Sequence, residues 1–182
     1  LGIKGYATFS ILAMLQTLCP FLPAEPVQVL SGIAYGFPIG FACCAVGFTF
    51  GATIIFTLYK LYGKKLQKYF VKNLQLDLDA LSASQKIVLI IFLLYFLPAI
   101  PYGMICFFAA GTGLKYRKYI LINVLGAIPS VCIGVGLGHM TISSNWILSL
   151  CVFLVLVALL IIMIIRKEWF FSKITQLATK SP

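Results

Sequence analysis

Glu25 is the only carboxylate ahead of Asp77, and it stands in the stretch FLPAEPVQVLSG (21–32) between Pro23 and Pro26. An ionisable group flanked by helix breakers, in otherwise apolar sequence, has three uses. It can accept a proton or small cation, contact the amine of a lipid headgroup, or cap a helix that starts at Pro26. Proline is favoured at the first helical position, and the helix dipole stabilises an anion there. A lipid-facing charge at the centre of a bilayer costs about 2.5–3.5 kcal/mol on the insertion scale, so the carboxylate is expected to face a cavity. Gln16, Thr17, Gln28, Tyr95, Tyr102, Asn123 and Ser130 are further polar groups in apolar runs. Each alone reads as a helix–helix hydrogen bond. Gathered with Glu25 around two proline elbows, Pro20/Pro23 and Pro98/Pro101, they make a polar path.

Other chemistries find little support. His139, the one histidine, falls in a polar turn and reads as a surface group before a proton relay. Cys19, Cys43, Cys44, Cys106, Cys132 and Cys151 lie in or beside apolar runs without a C-x-x-C pair, which reads as buried free thiols. Four carboxylates and one histidine leave no paired acids, metal cluster or nucleophile triad. The expectation is a protein that is not an enzyme and carries no metal or cofactor.

The elements that must position these groups are membrane elements. Of 182 residues, 62% are hydrophobic and 10% charged, and mean hydropathy is +1.06. Soluble domains run near 45–50% apolar and 25% charged, so the class is all-α integral membrane protein. Net charge is +10, but the charges fall between apolar runs. That fits membrane topology and argues against nucleic acid as a partner. No signal-peptide pattern opens the chain, and it starts at Leu1.

Charges delimit uncharged windows at 5–24, 26–59, 87–114 and 119–165. The last is long enough for two spans, expected at 118–138 and 146–166 with a polar turn GHMTISSN between. Window 87–114 as one helix would reach about 42 Å, against roughly 30 Å of hydrocarbon. Pro98 and Pro101 interrupt its middle, so two half-depth arms folded at PAIP fit better. Residues 5–36 repeat the pattern around PFLP, followed by a span at 38–60. The shared P-x-x-P spacing and the later Gly-Ala pairs (Gly51-Ala52, Gly126-Ala127) mark an internal repeat. Gly32, Gly36, Gly51, Gly111 and Gly126 are expected at tight helix contacts.

Orientation follows from the basic residues. Lys60, Lys64, Lys65, Lys68, Lys72 and Lys86 form one group, Lys115, Arg117 and Lys118 a second, and Arg166, Lys167, Lys173 and Lys180 a third. All three lie on one face, the cytoplasm, only if 87–114 is a hairpin. The two hairpins then enter from opposite faces as an inverted repeat. Within 63–85, Leu66, Tyr69, Phe70, Leu74, Leu78 and Leu81 recur at helical spacing opposite lysines. That stretch reads as an amphipathic helix on anionic headgroups or as a solvated helix packed on the bundle. The whole is one membrane domain: first repeat 5–62, linker 63–85, second repeat 86–140, terminal helix 146–166 and basic tail 167–182.

The ordered motifs FLPAEP…SGIAYG…GATIIFTLYKLYG and FLPAIP…AAGTG…LGAIPS resemble the two halves of the VTT domain, the DedA or SNARE-associated Golgi protein superfamily, with its bacterial branch closest. The similarity covers roughly residues 15–140. It implies two opposed re-entrant hairpins with surrounding spans, and movement of lipids between leaflets. Glu25 matches the acidic residue of the first hairpin, Lys60 stands where arginine is usual, and Arg117 matches the basic residue after the second hairpin. Tyr95 and Pro101 occupy places that are arginine in the DedA branch, which argues against a proton-coupled acid–arginine pair.

Together these expectations describe a multi-pass protein, of a bacterial cell membrane, that translocates anionic phospholipid or polyprenyl phosphate. Lys60, Lys115, Arg117 and Lys118 would gather headgroups at the cytoplasmic mouth. A proton- or cation-coupled solute transporter using Glu25, or a membrane scaffold without transport, stays open. Membrane lipids are the expected partners, and a homo-oligomer is compatible with the sequence.

Overall fold

The computed structural model describes residues 2–19, 22, 24–70, 87–95, 100–142, 154 and 158, with side chains 64–70 excepted. These residues form five helices and no strand: α1 (Gly2–Leu18), α2 (Glu25–Phe70), α3 (Ile87–Leu94), α4 (Tyr102–Gly111) and α5 (Tyr116–Ile142). Two helices are long and apolar enough to cross a bilayer, Glu25–Gly63 within α2 and Tyr116–Ile142.

α2 is two helices joined at a reversal. Gly36 has φ 73° and ψ 179°, a left-handed conformation that glycine adopts without a side-chain clash. Beyond it, the Ser31 hydroxyl lies 3.2 Å from Cys44 Sγ and 3.5 Å from the Gly40 carbonyl oxygen. A continuous helix would hold residues 31 and 44 about 20 Å apart. The segment after Glu25 therefore runs about 16 Å to Gly36, and the chain then turns back along it. Pro38 falls in the first turn after the reversal, where its missing N–H is tolerated. Gly36, expected at a helix contact, faces the His139 ring of α5 and is also the hinge.

Neighbouring contacts give each helix its direction. Gly47 packs on Ser10 and Ala13, and Gly51 on Met14 and Thr17, so α1 runs parallel to the long segment of α2. The rings of Tyr6 and Phe9 meet Tyr35 at 4.8 and 5.6 Å, so α1 is antiparallel to the short segment. Tyr119 donates to the Ala52 carbonyl at 3.0 Å, the Tyr116 and Thr53 hydroxyls are 3.1 Å apart, and Phe37 lies beside Gly136. α5 is therefore antiparallel to the long segment of α2. Gly113, with φ 72°, turns the chain from α4 into α5, and a Tyr102–Ser130 hydrogen bond sets those two antiparallel.

Glycine makes the closest crossing. Gly134 faces the Gln28 side chain, Gly138 faces the Val29 carbonyl, and Gly32 faces the Val135 carbonyl. Backbones approach this closely only where no Cβ intervenes. Outward, Leu121, Leu125 and Ile128 recur at helical spacing on α5 and are exposed, an apolar stripe suited to lipid.

Several expectations shift in detail. Window 87–114 is divided into α3 and α4, of 8 and 10 residues, about 12 and 15 Å long. α5 continues to Ile142, past the turn expected at 138, because Gly138 is held against α2. The start of the 63–85 linker is a continuation of α2 through Phe70. Pro20, Pro23, Pro98, residues 71–85 and most of 146–166 lie outside the described residues.

Gly138→Val forces a Cβ onto backbone, and such overpacking costs about 1–3 kcal/mol. The variant should melt lower in detergent. Gly136→Ala, whose Cβ meets only the Phe37 ring at 3.9 Å, should stay at or above the parent melting temperature, since alanine favours helix.

Candidate functional site: a polar seam between short helices and a basic cleft

Gln28 lies in the first turn of α2 and Tyr102 opens α4, each shortly after a P-x-x-P pair in the sequence. The Gln28 amide donates to the Tyr102 hydroxyl at 3.4 Å. Tyr102 is hydrogen-bonded to Ser130, and Ser130 donates to the Ala127 carbonyl at 3.1 Å. With Tyr102 donating to Ser130, one directional chain satisfies every group from amide to carbonyl, an arrangement in which each bond polarises the next. Phe48 walls the chain, with its ring 5.7 Å from Tyr102 and 6.1 Å from Tyr95. Phe48 sits about 18 Å along the long segment of α2, and Ser130 about 21 Å into α5. α5 is about 40 Å long, as is the long segment of α2 as far as Gly63, so the seam lies midway along these two stretches. Pro101 precedes α4 without a side-chain cap, and its carbonyl accepts from the Met104 amide at 2.9 Å.

Glu25 is exposed and stands one turn ahead of buried Gln28 on the same helix. It is close enough to act electrostatically on the Tyr102 hydroxyl. Among the described residues it has no hydrogen-bond or ion-pair partner, so the capping role is not realised.

A second network lies deeper. Tyr95 donates to Asn123 Oδ1 at 2.5 Å, and Asn123 Nδ2 donates to the Tyr119 carbonyl at 2.7 Å. The Tyr95 hydroxyl is also 3.3 Å from Cys106 Sγ. Tyr95, Asn123 and Tyr119 are all buried, and Gly126 makes room for the Tyr95 ring. These groups pin the end of α3 to α5. Tyr95 and Asn123, expected on the path with Gln28 and Tyr102, are brought near it but form a strut behind it. Gln16 is 8% exposed with an unpartnered Oε1, and Thr17 bonds the Ala13 carbonyl of its own helix.

At one end of the bundle a cleft of about 1030 Å³ opens between α2 and the α4–α5 turn, lined by Phe56, Tyr59, Lys60, Tyr62, Gly111 and Lys115 among others. Lys60 Nζ rests 5.1 Å over the Phe56 ring, a cation–π position. Gly111 gives space to Tyr59. Arg117 and Lys118 are exposed beside the cleft, in the first turn of α5, which holds no acidic residue. Two of the four expected basic residues thus face one space and two flank it. Phe48, Tyr119 and the Ser31–Cys44 pair went unread in the sequence. The four-residue spacing of Tyr119 and Asn123, with Gly126 one turn on, was the available signal for the deeper strut.

The family model described as VTT domain, the domain of DedA and SNARE-associated proteins, matches residues 22–140. The chain belongs to the VTT domain family. The match spans the two short helices, the seam and the cleft. VTT domain proteins are membrane proteins, which accounts for the two long apolar helices. No curated protein and no solved structure matches the chain.

Tyr95→Phe strands the buried Asn123 carbonyl oxygen, a loss of about 1–3 kcal/mol. The variant should unfold at lower temperature in detergent. Adding Asn123→Leu removes the orphaned group too, and the pair should recover part of that loss, because replacing both partners with apolar groups is close to neutral.

Proposed function

We propose that this VTT domain passes lipid headgroups between leaflets along the seam between the short segment of α2 and α4. The observation that carries the reading is the Gln28–Tyr102–Ser130 chain, placed midway along both long helices. In a bilayer that position is mid-depth, where transporter sites built from discontinuous helices lie. Headgroups would exchange hydration for these neutral donors and acceptors while tails stay in lipid against the outward stripe of α5.

The same reading takes the two halves as an inverted repeat of re-entrant hairpins. Each half has a short helix, a positive-φ glycine and a long helix of similar length, with Gly36 and Gly113 in equivalent places. The short segment of α2 is antiparallel to α4, and the two long helices are antiparallel to each other, as two entries from opposite faces require. The basic cleft then marks the cytoplasmic side of a multi-pass protein, where Lys60 and Lys115 draw in phosphates.

Proteoliposomes test it. Tail-labelled phospholipid should exchange between leaflets at least about tenfold faster than in empty vesicles, and Gln28→Leu with Tyr102→Phe should slow it by a similar factor. Unaccelerated exchange of every phospholipid and polyprenyl phosphate tried would leave the scaffold reading in its place.

A further inference from the structure

The cleft between α2 and the α4–α5 turn sits where the two long apolar stretches stop. On one wall its lining runs from Phe56 to Gly63, and the apolar stretch of α2 ends at Gly63. On the other it runs from Ala110 to Lys115, and the apolar stretch of α5 begins at Tyr116. In a bilayer the cleft therefore stands at headgroup level. Leu58 and Leu61 are exposed on the same turns of α2, an apolar surface suited to acyl chains.

The charge of the cleft is one-sided. Lys60 comes from α2, with Nζ 5.1 Å over the Phe56 ring, and Lys115 from the opposite wall. Arg117 and Lys118 are exposed beside it, in the first turn of α5. Among the described residues the one carboxylate is Glu25, on the short segment of α2, so none of these four cations has an acid beside it. The dipole of α5 favours an anion at this same end. Inward the cleft is closed: Phe56 is 6% exposed, and the Tyr59 ring lies between Gly63 and Gly111, 5.1 Å from Phe107. Its volume of about 1030 Å³ is at the top of the range of about 300–1,000 Å³ for ligand pockets, far more than one phosphate fills.

We infer that this cleft is a binding site for a lipid whose headgroup carries two phosphates joined by a short polyol. A single phosphodiester would neutralise one wall and leave the other cationic. With two, one phosphate pairs with Lys60 and the other with Lys115, while Arg117 and Lys118 add attraction from the rim. The lipid is held at the edge of the protein, because the aromatic floor stops its headgroup from moving inward. The site rests on the reading of the cleft as facing the headgroup layer, and it does not depend on passage of lipid along the seam.

The test is binding. Protein stripped of lipid in an uncharged detergent is titrated with cardiolipin or with phosphatidylglycerol of the same acyl chains, and bound lipid is counted by native mass spectrometry. The second charge-assisted contact should make cardiolipin bind about tenfold more tightly. Lys60→Gln and Lys115→Gln should each remove most of that preference, and Lys60→Arg should keep it. Lys4→Gln, the same charge change on α1, should leave it intact. The acyl-free headgroup, glycerol bridging two phosphates, should bind at least about tenfold more weakly than cardiolipin. Equal affinity for the two lipids, a preference that survives both glutamine variants, or an equal loss in Lys4→Gln overturns the site. Equal binding of the acyl-free headgroup overturns a lipid as its occupant. A failure of lipid exchange between leaflets would bear on the seam alone.

Discussion

A left-handed glycine reverses the chain within α2. The short segment runs from midway along the bundle to Gly36, at one end of the long helices, and the chain turns back along itself there. Ser31 then reaches across to the Gly40 carbonyl and Cys44, so the returning strand of the hairpin shelters the outgoing one. α1 closes over the other side through Tyr6, Phe9 and Tyr35.

From that reversal the polar seam follows. Turning back at Gly36 holds the start of α2 midway along the bundle, and the elbow before Tyr102 does the same for α4. Polar side chains at these two starts can then meet, which a pair of straight spans would place elsewhere. The glycine crossing of α2 with α5 brings Gln28 within reach of Gly134 and holds the seam against Ser130. Behind it the Tyr95–Asn123 strut fixes α3 without adding charge. The result is a seam and a strut whose polar groups bond one another, with Glu25, the one carboxylate among the described residues, standing outside them.

Much of the architecture was legible because length and charge are hard constraints. Twenty-eight uncharged residues with two prolines cannot make one straight span, and α3 and α4 divide where PAIP predicts. The argument that Lys60 and Lys115 share a face needs only the order of elements, and the cleft brings both to one space. The hinge at Gly36 went unread because G-x-x-x-G spacing is identical whether a glycine packs or turns. Its φ depends on the next element's direction, which is tertiary information. Tyr95 and Asn123 were grouped with the path because polarity in an apolar run does not say whether a side chain faces a partner or an opening. The partner is set by the rotation of α3 against α5, and sequence alone does not carry it.

The reversal at Gly36 is tested most directly by a disulfide. Ser31→Cys, in a background where Cys44 is the one native cysteine kept, should oxidise to an intramolecular bond in the membrane-embedded protein, seen as the mass loss of two hydrogens. The 3.2 Å approach of the Ser31 and Cys44 side chains predicts that bond. Two persistently free thiols under oxidants that cross-link other membrane-buried cysteine pairs would mean that α2 runs straight through, with its two ends of the pair about 20 Å apart.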